Sequence, residues 1–518
     1  MPISKNIILF IILSIGALCR FYLVSDVFSS DFYGNFILDP DTYIKQGQVL
    51  AHEGLKGLQA PFWRPPLYPL FLGLILKWSQ NNLLLPLLIQ VLLSTLSIGL
   101  VYRISMELTS SVGVSLTAAS FMACNRTSIY FSGQFLIPAL FVILMLTCFF
   151  YYLKFMNSYA PFPAFGSGFF CGLATLARPN FLFTALFLAG WISKEIRPLP
   201  KNNHSLILLF LIGFILPILP ITWHNYDMSK SFIFITKIGG YNFFIGNNRD
   251  ADGKTVWASK KKLLDLNINP NGDPNEIDQH YLAAAKKEIQ QDPVHFIKLW
   301  FKKMYYLMNN HEISSNIDME YFMKECCPWL NKWYFLSWGI IFPLAMVGMI
   351  FGEYNNKMAP PLLIFVIIFT LTLSLFFINA RLRVPLVPVL CLFSSIGLKT
   401  IFSFHRRFSA KKNRIILTWF LFFLVSHTHF FGVDDPRDKT PINLIQATQF
   451  YEGHQYLACK KMLNHILDAD PVCGDAYVLM SLVYQKENDV VLAKKFRNLA
   501  FRPGLNFEYF GPNHDDST

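Results

Sequence analysis

Residues 36–54 read FILDPDTYIKQGQVLAHEG, and Asp39 and Asp41 stand two residues apart just after an apolar stretch long enough to cross a bilayer. Carboxylates in that position have two readings. Either one can N-cap the short amphipathic helix that follows Pro40. Alternatively, a carboxylate at a half-enclosed membrane mouth can act as a general base or hold a divalent cation such as Mg or Mn. Both chemical roles call for a partner that carries the substrate's charge. Arg381 and Arg383, in INARLRVPLVPVL, are the candidates, because they stand at the outer end of one predicted span and immediately before Pro385 of the next. Proline suits the first helical turn, so both guanidiniums would lie near a helix N-terminus whose free N–H groups also attract anions. The arginine fork matches phosphate oxygens, whereas the competing reading has these side chains snorkelling to lipid headgroups. Arg64 in FWRPPLYP and Arg178 in LATLARPN repeat the pattern of an arginine beside a proline at the predicted outer end of an apolar segment. Such arginines on the outer side oppose the usual cytoplasmic bias and point to an anionic lipid ligand.

These residues have to be positioned by membrane helices. The 518 residues include 51 Phe, only 15% are charged, and the mean hydropathy is +0.37, which excludes a soluble multidomain protein. The net charge of +12 lies in short clusters between apolar runs. That distribution encodes topology and argues against a nucleic-acid partner. The nine cysteines show neither CxxC pairs nor metal-like spacing, so no zinc site or disulfide framework is expected, and the adjacent Cys326 and Cys327 stay unassigned. Residues 6–19 after Lys5 resemble a signal peptide, but Leu18 is too large to precede a lipoprotein cysteine at Cys19 and no small-x-small site follows. A retained first helix is therefore expected.

Apolar runs at 6–25, 83–102, 111–128, 133–153, 163–178, 180–193, 204–223, 333–352, 359–378, 384–402 and 415–432 predict an all-α polytopic membrane protein with about eleven spans, in a range of roughly ten to thirteen. Residues 67–76 are too few to cross and predict a helix at the surface. With a cytoplasmic N-terminus, alternation puts Arg103, Lys154, Lys194, Arg197, Lys201, Lys357 and the 405–414 basic cluster inside. Two large loops, 26–82 and 224–332, and the tail after residue 432 then face outward. The domains expected are a membrane domain, 1–432, and a helical tail, 433–518, in a bacterial-type plasma membrane with the tail periplasmic. The tail's helical spacing, with Ala458, Ala493, Pro471 and Pro503, resembles a pair of tetratricopeptide repeats. Two repeats are too few to stand alone, so packing on the loops or on an envelope partner is expected.

The second large loop opens PITWHNYDMSKSFIFITKIGGYNFFIGNNRDADGKTV, a strand-like apolar stretch followed by Gly, Asn and aromatics. Asn225, Asn242, Asn247 and Asn248 suit sugar hydroxyls, although Gly-Asn clusters are also plain turns. Glu312 in HEISSN precedes re-entry into the membrane.

Taken in order, LDPDTY, FWRPPLYPLFLGLI, GLATLARPN, HNY…GGYNFFIGNNRDADG, HEISSN and ARLRVPLVP resemble the polyprenyl-phosphate-sugar-dependent glycosyltransferases of the GT-C type, the superfamily of protein mannosyltransferases and aminoarabinose transferases. Within it the likeness is to bacterial family-39 members with tetratricopeptide tails. The resemblance implies a sugar donor linked through one phosphate to a polyprenol, an outer cavity roofed by the two loops, and a glycan, lipid or protein acceptor. It implies that Asp39, first residue of a D-x-x-x-Y pattern ending at Tyr43, is the catalytic carboxylate, acting directly or with a divalent metal, with inversion at the anomeric carbon. Arg381 and Arg383 would hold the phosphate, with Arg64 and Arg178 in support. Substrate-side positions would be Tyr43, Tyr68, Gln134, Asn225, Asn242, Asn247, Asn248 and Glu312. Two departures stand out. Gln134 in SGQFLIPAL occupies the place of a carboxylate in a Gly-Glu-Leu-Leu element, with no acidic residue between Glu107 and Glu195, and His224 stands where relatives tend to carry Arg. Asp41 would then compensate for the absent carboxylate. A non-catalytic assembly protein acting through its tail is the alternative. A lipid-linked-sugar transporter is disfavoured, because it predicts charge near midspan and the apolar runs are almost free of it away from their ends.

Overall fold

The computed structural model describes residues 4–58, 60–198, 205–269, 272–355, 357–403 and 410–507. Lys201, His405, Arg406 and Arg407 of the charge pattern fall outside the described residues. The chain divides into two units. One comprises Met1–Val24, Tyr43–His311 and Leu330–Thr428, the other Ser25–Thr42, Glu312–Trp329 and His429–Thr518. Two short segments of the expected outer loops thus group with the tail.

Each predicted apolar run is helical in the first unit. Lys5–Phe28, Leu84–Thr109, Pro138–Ser158 and Ala380–Ser403 are long and apolar enough to cross a membrane. Ser205–Ile215 and Leu219–Ser229 form a pair bent by 47°, and Leu67–Ser79, Val112–Ala123, Pro161–Ala177, Trp338–Phe351 and Ala359–Ser374 are shorter apolar helices. Ile7, Phe10, Ile11, Ile15 and Leu18 on the first helix, and Leu208, Leu211 and Ile212 on another, turn outward. A continuous outward apolar surface of this kind fits hydrocarbon and not water.

Glycine sets the closest crossings. A Cβ on Gly168 or Gly172 of the 161–177 helix would lie 2.0 or 2.2 Å from the carbonyl oxygens of Phe210 and Phe214. A Cβ on Gly348 would lie 1.9 Å from the Phe393 oxygen, and one on Gly397 2.0 Å from that of Leu344. In lipid, where apolar burial does not drive helices together, such backbone contact is the main source of packing energy.

One charge lies well inside an apolar run. Arg20 of the first helix is fully buried, and its guanidinium donates five hydrogen bonds: to Ser94 Oγ (2.8 Å), Ser128 Oγ (3.3 Å) and the carbonyls of Gly16 (2.9 Å), Ala123 (3.2 Å) and Met122 (3.3 Å). Met122 and Ala123 close the twelve-residue helix Val112–Ala123, so Arg20 caps a helix that ends inside protein.

The strand expected near residues 231–238 is absent, and among the described residues no strand forms beyond isolated bridges. Side chains take its acceptors: Asn225 Nδ2 donates to Ile233 O (3.3 Å) and Ile235 O (2.9 Å), and Thr222 Oγ1 to Phe234 O (2.7 Å). The chain then turns into the helix Gly239–Asn247.

In the second unit the tail forms helices Thr440–Glu452, Tyr456–Ala469, Gly474–Lys486 and Val490–Ala500, with each packed on the next. Phe32 inserts edge-on between Phe322 (5.0 Å) and Phe450 (5.2 Å), which is why the two outer segments belong to this unit. Asp318, 1% exposed, caps the helix Met319–Cys326 and also accepts from Asn443 (3.3 Å) and His465 (3.4 Å), with Lys439 Nζ at 3.4 Å. Burial alone would raise its pKa, but the His465 hydrogen bond, the Lys439 charge and the Asn443 amide override that and hold it down at about 2.

The folded value lies below the usual one, so this carboxylate's contribution of about 2 kcal/mol is present above pH 4 and disappears as pH falls toward 2. Acid unfolding of the second unit followed by amide exchange should therefore begin below pH 4 in the wild type. Asp318→Asn should lower stability at pH 7 and flatten that acid dependence; an unchanged acid profile would exclude Asp318 as its source.

Candidate functional site

The candidate carboxylates lie in the second unit. Asp39 and Asp41 lie in the first turn of the helix Leu38–Glu53, where the positive end of the helix dipole favours negative charge. The helix opens on a strained residue, since Leu38 has φ 57°. A leucine in the left-handed region costs roughly 1–2 kcal/mol, and such strain persists only where the surroundings enforce it, commonly at functional sites. Both carboxylates are half-buried, and Asn316 Nδ2 lies 3.5 Å from Asp39 Oδ2. Asn316 is the last residue of the HEISSN motif, and Glu312 near the head of that motif is buried. Among the described residues, no three His, Cys, Asp or Glu side chains form a group that could hold a metal ion.

The candidate arginines lie in the first unit. Asn379 caps the short turn Ala380–Arg383 by accepting from Leu382 N (3.1 Å), which fixes where the two arginines emerge. They diverge in use. Arg383 is buried, and its guanidinium donates to the carbonyls of Tyr306 (3.4 Å), Asn309 and His311 (2.9 Å) while stacking over Trp338 at 4.7 Å. Those carbonyls lie at and just beyond the end of the helix Pro293–Met308, so Arg383 caps it. Arg381 is half-exposed.

Arg178, at the end of the 161–177 helix, is buried over the Phe141 ring (5.6 Å). Its Nη2 donates to Arg381 O at 3.0 Å and its Nε has no partner among the described residues. Among those residues no carboxylate pairs with it, and it lies within electrostatic reach of Arg381 and of Tyr43. A buried arginine charge next to another positive charge is costly unless an opposite charge offsets it.

Beside them runs a polar chain. Tyr43 packs edge-on against Tyr68 (5.2 Å), the Tyr68 hydroxyl donates to Gln90 Oε1, and Gln90 Nε2 donates to Gln134 O (2.9 Å). The Gln134 side-chain amide is buried, with Nε2 unpaired among the described residues. Arg64 is half-buried in a segment pinned by Phe62 N to Asn225 Oδ1 (2.9 Å) and by Thr236 Oγ1 to Trp63 O. His224 is buried against the Phe62 ring.

Three of the asparagines expected to face sugar face the main chain instead. Asn225 holds the two loops just described. Asn247 donates to Phe243 O (2.8 Å) and Leu375 O (2.7 Å) and accepts from Lys303 (2.7 Å). Asn248 donates to Phe244 O (2.9 Å) and Ser259 Oγ (2.7 Å) and accepts from Asp250 N (2.9 Å). Asn242 is half-buried on the helix Gly239–Asn247. Lys303 itself is fully buried; burial lowers its pKa to about 7, against the opposing charge of Asp252.

Sequence reasoning missed Arg20, Gln90, Lys303 and Asn316. A charge and an amide inside apolar runs were signals for the first two, because polar groups in spans are retained for a purpose. Lys303 and Asn316 carry no such signal, since their partners lie far away along the chain.

No protein-family model matches the sequence, and no curated protein matches it. Among solved structures, the chain is similar to the oligosaccharyltransferase of Archaeoglobus fulgidus in its apo form, at 14% identity and TM-score 0.48, over 97% of this chain and 60% of that one. The same enzyme complexed with Zn and sulfate gives 14%, 0.41, 86% and 56%. The archaeal oligosaccharyltransferase AglB from Archaeoglobus fulgidus, in complex with an inhibitory peptide and a dolichol-phosphate, gives 11%, 0.43, 86% and 59%. This chain thus spans 60% or less of the length of these proteins.

Proposed function

We propose that this protein is a GT-C-type membrane glycosyltransferase, which moves a sugar from a polyprenyl-phosphate donor to an acceptor hydroxyl on the outer side of the membrane. The observation that carries this reading is buried Arg178, which bonds the Arg381 main chain, feels the charges of Arg381 and Tyr43, and has no carboxylate partner among the described residues. A lipid-linked phosphate supplies the missing charge and reaches such a site from the bilayer. Asp39, in a first helical turn, takes the acceptor hydroxyl proton. The acceptor oxygen bonds to the anomeric carbon as the carbon–oxygen bond to phosphate breaks, with inversion. Polyprenyl phosphate leaves as an anion that Arg381 and Arg178 stabilise, so no general acid is required. Arg383 positions the turn that carries Arg381, and Arg64 supports the donor phosphate. Asn242, Gln134 and Tyr43 remain for the sugar. The acceptor is a glycan, lipid or protein hydroxyl, and the tail is of tetratricopeptide type.

A second reading gives the work to the tail. Leu457, Val490, Val491 and Phe501 are exposed on it, as a partner-binding surface would require.

Two experiments test these readings. Binding of polyprenyl phosphate, followed by native mass spectrometry, should weaken by about tenfold or more in Arg381→Ala. Arg383→Ala should instead lower the melting temperature; the reverse pattern would exchange their roles. In a transfer assay, Asp39→Asn should abolish product, whereas Asp41→Asn reduces it only if Asp41 substitutes for the carboxylate absent at Gln134. If Asp39→Asn leaves the cellular phenotype intact while removal of residues 433–518 abolishes it, the second reading replaces the first.

A further inference from the structure

We infer that the helical tail is a positioning element for Asp39, through the hydrogen bond that Gln446 donates to Asn35 and the one that Gln455 accepts from it; this rests on the role proposed for Asp39. The link runs through one short segment. Residues 35–37 carry no helix or strand, and Leu38 follows them at φ 57°. A free leucine leaves that conformation, so contacts beyond the turn must impose it. Tail residues supply many of them. Asn35, itself buried, donates from Nδ2 to Gln455 Oε1 (2.9 Å) and to Asp31 O (2.8 Å). Gln446, also buried, donates from Nε2 to Asn35 O (3.1 Å). The Gly453 backbone comes so near that a Cβ there would lie 2.7 Å from Asn35 Oδ1, and Phe450 packs on Phe32.

This arrangement is specific in a way that a docking arm would not need. Two tail amides read one side chain and one carbonyl of the same asparagine, three residues before the strained leucine and four before the carboxylate. Gln446 is turned inward to do so, leaving its own Oε1 without a partner among the described residues. Loss of activity on removing the tail then reports a released carboxylate as well as any lost partner.

The test uses the full-length membrane protein. Gln455→Met removes the acceptor oxygen at equal length, and Gln455→Glu keeps it. Amide exchange over residues 31–42 should rise roughly fivefold in Gln455→Met, as loss of one neutral hydrogen bond predicts. Exchange over 474–500 should stay unchanged. The sugar-modified product in cells should fall with it, and Gln455→Glu should restore both readouts. Unchanged exchange over 31–42 in the double variant Gln446→Leu, Gln455→Met, or failure of Gln455→Glu to restore, overturns the inference. Full product from Gln455→Met alongside lost product from Asp39→Asn overturns the tail's role alone. Full product from Asp39→Asn overturns the reaction reading itself.

Discussion

Main-chain groups that end inside an apolar bundle have no water to satisfy them, and each one left bare costs several kcal/mol. The first unit contains many helices too short to reach both membrane surfaces, so the problem recurs. Arginine solves it. Arg20 takes the last carbonyls of the 112–123 helix, Arg383 takes those that end the 293–308 helix, and Arg178 takes the carbonyl of Arg381. A guanidinium carries five donors in a fixed plane and cannot lose its charge in a protein, so it can cap a helix end where a lysine would neutralise. Gly168, Gly172, Gly348 and Gly397 serve the same end differently, bringing backbones close enough to leave no polar gap.

Charge available to a substrate is what remains after these structural uses. Arg20 and Arg383 are engaged by carbonyls, whereas the Nε of buried Arg178 has no partner among the described residues. The carboxylates follow the opposite logic. Asp39 and Asp41 sit where a helix end welcomes negative charge, on a turn whose leucine is held in a conformation it does not prefer.

Much of this was legible from residue order. Apolar runs of the right length became helices at nearly the expected bounds, because in lipid the backbone has almost no alternative. A helix start near Asp39 and Asp41 was legible, but the helix begins at Leu38, so neither carboxylate is its N-cap; the tail's helices followed from their 3.6-residue spacing. Side-chain partners were another matter. An asparagine amide that satisfies a loop carbonyl looks in sequence like any other, so the main-chain bonds of Asn225, Asn247 and Asn248 could not be foreseen. Arg383 meets carbonyls more than seventy positions away, and a pattern in RLR cannot encode which of two neighbours turns inward. The strand-like 231–238 segment misled because the side chains of Thr222 and Asn225, in place of a neighbouring strand, bond its carbonyls.

On the proposed reading, this membrane protein adds one sugar to an envelope acceptor. Mass spectrometry of lipids, glycans and glycoproteins from otherwise identical cells with and without the gene tests that directly, whichever donor and acceptor are used. The account predicts that a single hexose- or pentose-class mass is missing from one acceptor, while its polyprenyl-phosphate donor accumulates. Identical acceptor masses in both cells would contradict it.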